Sequence, residues 1–114
     1  MTVQEYLNTT RKFMNGVDIR PGVVCADGFQ ISIQASPFNY CYPKDKDAEA
    51  FEKVELGFPN QKDDLIMEYA EDPDDPTCTV YGYVPIEVVD KLMEKHGGII
   101  SRFDDKEALR YEFR

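Results

Sequence analysis

The chain holds one histidine, His96, and three cysteines, Cys25, Cys41 and Cys78, the residue types from which a thiolate nucleophile and its general base are assembled. No local motif brings them together, and G-x-S-x-G, the P-loop and H-E-x-x-H are all absent. His96 stands directly before Gly97-Gly98. At the end of a helix an imidazole is favoured by the dipole and by the terminal carbonyls it can cap, so the position accounts for the residue without catalysis. The cysteines are odd in number, widely spaced and lack a C-x-x-C pair, which signals neither a disulfide framework nor a zinc site. No catalytic residue, metal ligand or cofactor is nominated, and the chain reads as a non-enzymatic protein.

Asp72, Asp74 and Asp75 invite a calcium reading, since oxygen ligands at alternate positions suit that ion. Counted from Asp72, however, Thr77 stands where a calcium loop needs glycine and Tyr83 where it needs a bidentate glutamate. The stretch reads instead as an acidic turn stiffened by Pro73 and Pro76. It closes a longer acidic segment in which Asp63, Asp64, Glu68, Glu71, Asp72, Asp74 and Asp75 face only Lys62, so most of the net charge of -9 sits here. Such a run either solvates an exposed face or presents carboxylates to the basic groove of a nucleic-acid-binding protein, with electrostatic steering of the encounter.

A second candidate surface is aromatic. Asn39-Tyr40-Cys41-Tyr42 and Tyr81-Gly82-Tyr83 put four tyrosines in two short stretches, and tyrosine combines an apolar ring for stacking with a polar edge. If Tyr40, Tyr42, Tyr81 and Tyr83 converge, with Arg20 or Lys44 beside them for a phosphate, they would line a pocket for a nucleotide-like small molecule. The competing expectation is that tyrosines at alternate strand positions pack one face of a sheet.

The elements that must position these residues follow from the pattern. A length of 114 residues with 42% hydrophobic and 31% charged content fits one globular domain spanning the whole chain, 1–114. The excess of 22 acidic over 13 basic residues argues against direct binding to nucleic acid or to an anionic membrane surface. No apolar run approaches the roughly 18 residues of a membrane span, and Met1-Thr2-Val3-Gln4-Glu5 lacks a signal-peptide pattern, so a cytoplasmic protein is expected. A homo-oligomer is compatible with either surface.

Val3, Tyr6, Leu7, Thr10, Phe13, Met14 and Val17 recur at helical spacing, with Thr2 and Glu5 as a capping box and Asn15-Gly16 as the stop. Residues 23–34 then alternate with period two around Asp27-Gly28, a hairpin signal. A strand over residues 51–58 ends at Pro59-Asn60, and residues 61–70 read as a helix capped by Asn60. Residues 77–84 form a strand in which Gly82 hints at a bulge or a close backbone approach. Pro85 opens a helix carrying Ile86, Val89, Leu92, Met93 and His96 on one stripe, stopped by Gly97-Gly98. The tail has two short runs, 99–103 and 108–113, and reads as a hairpin turned by Asp104-Asp105-Lys106, with a helix over 104–113 as its competitor. The sum is an α+β domain: an antiparallel sheet of about four to six strands with two or three helices packed on one face.

Several ordered motifs carry a resemblance. They are Cys25-Ala26-Asp27-Gly28-Phe29-Gln30-Ile31-Ser32-Ile33-Gln34-Ala35-Ser36, Val54-Glu55-Leu56-Gly57-Phe58-Pro59, Tyr69-Ala70-Glu71-Asp72-Pro73, Thr79-Val80-Tyr81-Gly82-Tyr83-Val84-Pro85 and His96-Gly97-Gly98-Ile99. Over roughly residues 22–100 the chain resembles small uncharacterised proteins encoded by phages and mobile elements of gut anaerobes. The resemblance implies no activity. It implies a setting in which small accessory proteins act as inhibitors or adaptors rather than metabolic enzymes, for instance by binding a host protein and inhibiting a defence system.

Overall fold

In the computed structural model the described residues are 1–10, 12–14, 17–45 and 48–102. The first element is the helix α1, Val3–Thr9, and the capping box at its start is formed in full: Thr2 Oγ1 accepts from the Glu5 amide and Glu5 accepts from the Thr2 amide. The helix is shorter than its hydrophobic spacing predicts. Thr9 and Thr10 are β-branched, and their hydroxyls donate to the carbonyls of Glu5 and Tyr6, a local alternative to continued helix. The chain then pairs β1, Lys12–Met14, with β2, Val17–Ile19, antiparallel, with Met14 opposite Val17. The pairing of these two strands takes the place of the helix expected to continue to Val17.

The main sheet holds β3 (Val23–Cys25), β4 (Gln30–Gln34), β5 (Lys53–Gly57), β6 (Val80–Pro85) and β7 (Ile99–Arg102), all antiparallel in the order β6-β5-β4-β3-β7. The Asp27-Gly28 turn joins β3 to β4 as expected, with Gly28 at φ +96°. Along β4, Ile31 and Ile33 enter the core. Ser32 and Gln34, on the other side of the pleat, are buried as well, and Gln34 exchanges hydrogen bonds with the main chain of Arg20. Arg20 is itself buried, donating to the carbonyls of Leu7 and Ala35 and lying over the Phe51 ring. It therefore offers no guanidinium to a surface phosphate.

The second helix, α2, spans Ile86–Lys95, one residue later than expected because Pro85 serves as its N-cap. It ends in His96, followed by Gly97 and Gly98 at φ +91° and +88°. The Gly98 amide closes onto the Met93 carbonyl at 2.8 Å, satisfying a carbonyl the helix leaves open. Val89, Leu92 and Met93 from α2 and Val3, Tyr6 and Leu7 from α1 join the sheet residues Val23, Cys25, Ile31, Ile33, Val54, Leu56 and Val84 in one core. This is the α+β domain read from the pattern.

Two expectations change. Residues 61–70 do not form an α-helix; they hold turns and a single 3-10 turn at Met67–Tyr69. Only Asp63 and Ile66 are buried there, so no apolar stripe anchors a longer helix. Asn60 does not cap a helix but ties the segment to the hairpin, accepting from the Gln30 amide and donating to the Gly28 carbonyl, each at 2.9 Å. The first run of the expected terminal hairpin is the strand β7, paired with β3, while its turn and second run lie outside the described residues beyond Arg102; no helix among the described residues is long and apolar enough to cross a membrane.

Candidate functional site

A connected titratable cluster joins three separate segments. The end of α2 supplies Lys95 and His96, the Asp27-Gly28 turn supplies Asp27, and the segment after β5 supplies Asp63. The turn and the helix end are held in register by main-chain bonds from Ala26 to Gly98 at 3.0 Å and from Asp27 to His96 at 3.2 Å. His96 is 6% exposed, and its ring stacks on Phe29 with 4.0 Å between centroids and 7° between planes.

Both ring nitrogens of His96 meet carboxylates: Nδ1 lies 2.6 Å from Asp27 Oδ2 and Nε2 lies 2.7 Å from Asp63 Oδ2. A ring protonated at both nitrogens donates to both acids, whereas a neutral ring has one N–H to give. Asp63 also accepts from Lys95 Nζ, at 3.0 Å for Oδ2 and 3.1 Å for Oδ1, and from the Leu65 amide at 2.9 Å. Asp27 Oδ1 accepts from the Phe29 amide at 2.9 Å. These bonds set the acidities. The His96 hydrogen bond, reinforced by the Phe29 amide, holds the Asp27 carboxyl below the usual aspartate range. Burial works to raise Asp63, but the bonds from Leu65, His96 and Lys95 together lower it.

In this arrangement the imidazole has no nitrogen turned toward a thiol. Cys25 is buried with its Sγ 3.6 Å from Met93 Sδ, and burial together with the nearby Asp27 charge pushes its thiol up to about 11. Burial likewise raises the Cys41 thiol. A thiolate nucleophile is disfavoured at both positions.

The acidic segment divides at Asp63. That residue is buried in the cluster, while Asp64, Glu68, Glu71, Asp72, Asp74 and Asp75 are exposed. The exposed turn is well held. The amides of Asp74 and Asp75 donate to Asp72 Oδ1 and Asp72 O, the Asp72 amide donates to Thr79 Oγ1 at 2.9 Å, and the Tyr81 hydroxyl donates to the Pro76 carbonyl. Glu71 joins the outer side of β6 through its amide and the Val80 carbonyl at 3.0 Å.

Of the four tyrosines, the structure brings three to the surface and places Tyr81 in the core. Tyr40, Tyr42 and Tyr83 are exposed, as is Phe38, whereas Tyr81 is fully buried. Tyr81 and Tyr83 would share a side in a regular strand. The pairing of Val54 with Val84 and of Leu56 with Tyr81 leaves Gly82 and Tyr83 opposite Glu55 alone, which is a bulge, and Tyr83 adopts φ +53°. The bulge turns Tyr83 outward and returns Val84 to the core.

No family model, curated protein or solved structure matches this chain. Sequence reasoning misses Asp27 and Glu55. The Asp-Gly dipeptide accounts for Asp27 as a turn residue, and nothing local says that a helix end comes to meet it. Glu55, a polar strand position, accepts from the Tyr40 amide at 3.1 Å and from Asn39 Nδ2 at 3.0 Å, and burial pushes its carboxyl above the ordinary glutamate range. A cleft of about 390 Å³ beside Met1, Tyr6 and β7, and another of about 560 Å³ between Met1 and the end of α2, take none of the four tyrosines as lining.

Proposed function

We propose that the protein acts by binding a basic partner protein, without chemistry of its own, through its exposed carboxylates between residues 64 and 75 and the tyrosines beside them. The observation that carries this reading is the anchoring of the acidic turn to β6, the strand that also bears Tyr83. Strand β6 thus has the acidic turn bonded to its start at Val80 and an exposed tyrosine near its end, and Glu55 of the neighbouring strand holds the Tyr40 amide. Exposed carboxylates and tyrosines on one strand suit lysine- and arginine-rich surfaces. The partner proposed is a host nucleic-acid-binding protein, whose basic groove such carboxylates would occupy, with inhibition as the effect.

A nucleotide-like ligand at Tyr40, Tyr42 and Tyr83 is the second reading, favoured by the Lys44 ammonium above two of the rings. Glu55, which holds the Tyr40 amide, opposes it, since its carboxylate would repel a phosphate.

The test is calorimetric titration with an arginine-rich peptide at about 50 mM and about 300 mM salt, comparing the protein with its D72N/D74N/D75N variant. The expected result is binding that weakens with salt and falls about tenfold in the variant, as for three charge contacts of about 0.5 kcal/mol each. Equal affinity of the two proteins, or tighter binding of a nucleoside triphosphate than of the peptide, would overturn the proposal.

A further inference from the structure

The patch holds a more specific feature. Tyr40 and Tyr83 lie with ring centroids 5.9 Å apart and planes tilted by 42°, and the Lys44 ammonium sits 5.9 Å from the first centroid and 5.7 Å from the second. One cation thus faces two tyrosine rings near the outer limit of about 6 Å for cation–π attraction.

The rings are placed by costly and specific means. Tyr83 is turned out by the bulge at a left-handed φ of +53°, a conformation that L residues other than glycine avoid. Tyr40 is seated over Gly82, where an added Cβ would lie 3.3 Å from the Tyr40 Cβ. Main-chain bonds fix it further: its carbonyl accepts from the Tyr83 amide at 2.9 Å, and its own amide is held by Glu55. The Glu55 carboxylate that holds this amide adds negative charge beside Tyr40. A pair of ring faces, preset beside a carboxylate and exposed to solvent, is complementary to a cation.

From this we infer that the space between Tyr40 and Tyr83 is a binding site for an arginine side chain of the partner, and that Lys44 fills it in the free protein as an internal competitor. The inference rests on the basic-partner reading and names its anchor. Arginine suits the site better than lysine, because a guanidinium is planar, weakly hydrated and able to stack on one ring while its edge meets the other, whereas an ammonium is a compact and strongly hydrated charge. Lys44 has only to swing away on its flexible stem to open the site.

The experiment uses the full chain, an arginine-rich peptide and a lysine-rich peptide of equal charge, with the Lys44 ε-methylene protons followed by NMR and affinity by calorimetry. In the free protein those protons are shifted by the ring currents, and the arginine peptide returns them toward their unshifted position. Lys44→Gln tightens arginine-peptide binding about threefold, and Tyr83→Asn, which tolerates the left-handed backbone, weakens it about fivefold. The lysine peptide responds less to both changes. If the peptide binds with the expected salt dependence while the Lys44 signal and both variants leave it unaffected, the arginine site is wrong and the acidic surface stands. If neither peptide binds the protein or its Lys44→Gln variant, both readings fall.

Discussion

Asp63 and Asp64 are neighbours of the same residue type, yet the side chain of the first is 2% exposed and that of the second 93%. The first is gripped by His96, Lys95 and the Leu65 amide. The second pairs with Lys62, at 4.0 Å in solvent. An acidic run is thus two regions with opposite work: a buried carboxylate that fastens three segments together, and exposed carboxylates that are available to a partner. What separates them is the groups brought from elsewhere in the chain, which the run itself does not disclose.

The largest effect should come from breaking the buried region. Asp63→Ala removes an acceptor from His96, Lys95 and the Leu65 amide at once, and is expected to cost about 3 kcal/mol in urea unfolding. A loss under about 1 kcal/mol would show that the cluster does not fasten the fold.

Acidification should reach the same region. Asp27 and Asp63 have folded-state acidities below the ordinary aspartate value of about 4. The stability they contribute is therefore complete above that value and is lost as pH falls through the lowered folded values. The urea midpoint should fall below about pH 4, and His96→Ala should reduce the size of that fall. An identical acid profile in the variant would assign the loss to other carboxylates.

The smallest effect sharpens the contrast. Asp64→Ala should change stability by no more than about 0.5 kcal/mol, because its ion pair with Lys62 is fully solvated.

Legibility in the sequence follows the range of the interactions. The Asp27-Gly28 hairpin, the Thr2–Glu5 capping box and α2 with its Gly97-Gly98 stop are set by neighbours in the chain, and each stands where its pattern puts it. The first helix is overextended because Phe13, Met14 and Val17 keep a helical spacing, while Thr9 and Thr10, whose hydroxyls take the carbonyls of Glu5 and Tyr6, stand where the helix ends. At the tyrosines, Gly82 signals a bulge or a close approach and both are present, but alternation alone places Tyr81 and Tyr83 on one side. The Asp27–His96–Asp63 cluster is the least legible part. Its members are 69 and 33 residues apart, and their meeting depends on how the sheet order brings the first turn to the end of α2.

The division between a fastening region and a contact surface is tested most directly by mapping amide shifts in a ¹H–¹⁵N spectrum during titration with the arginine-rich peptide. The account predicts shifts at Glu71, Asp72, Asp74 and Asp75 and at Tyr40, Lys44 and Tyr83, with Asp27, Asp63 and His96 unmoved. Shifts centred on Asp27, Asp63 and His96, with the acidic turn and the tyrosines unchanged, would contradict it.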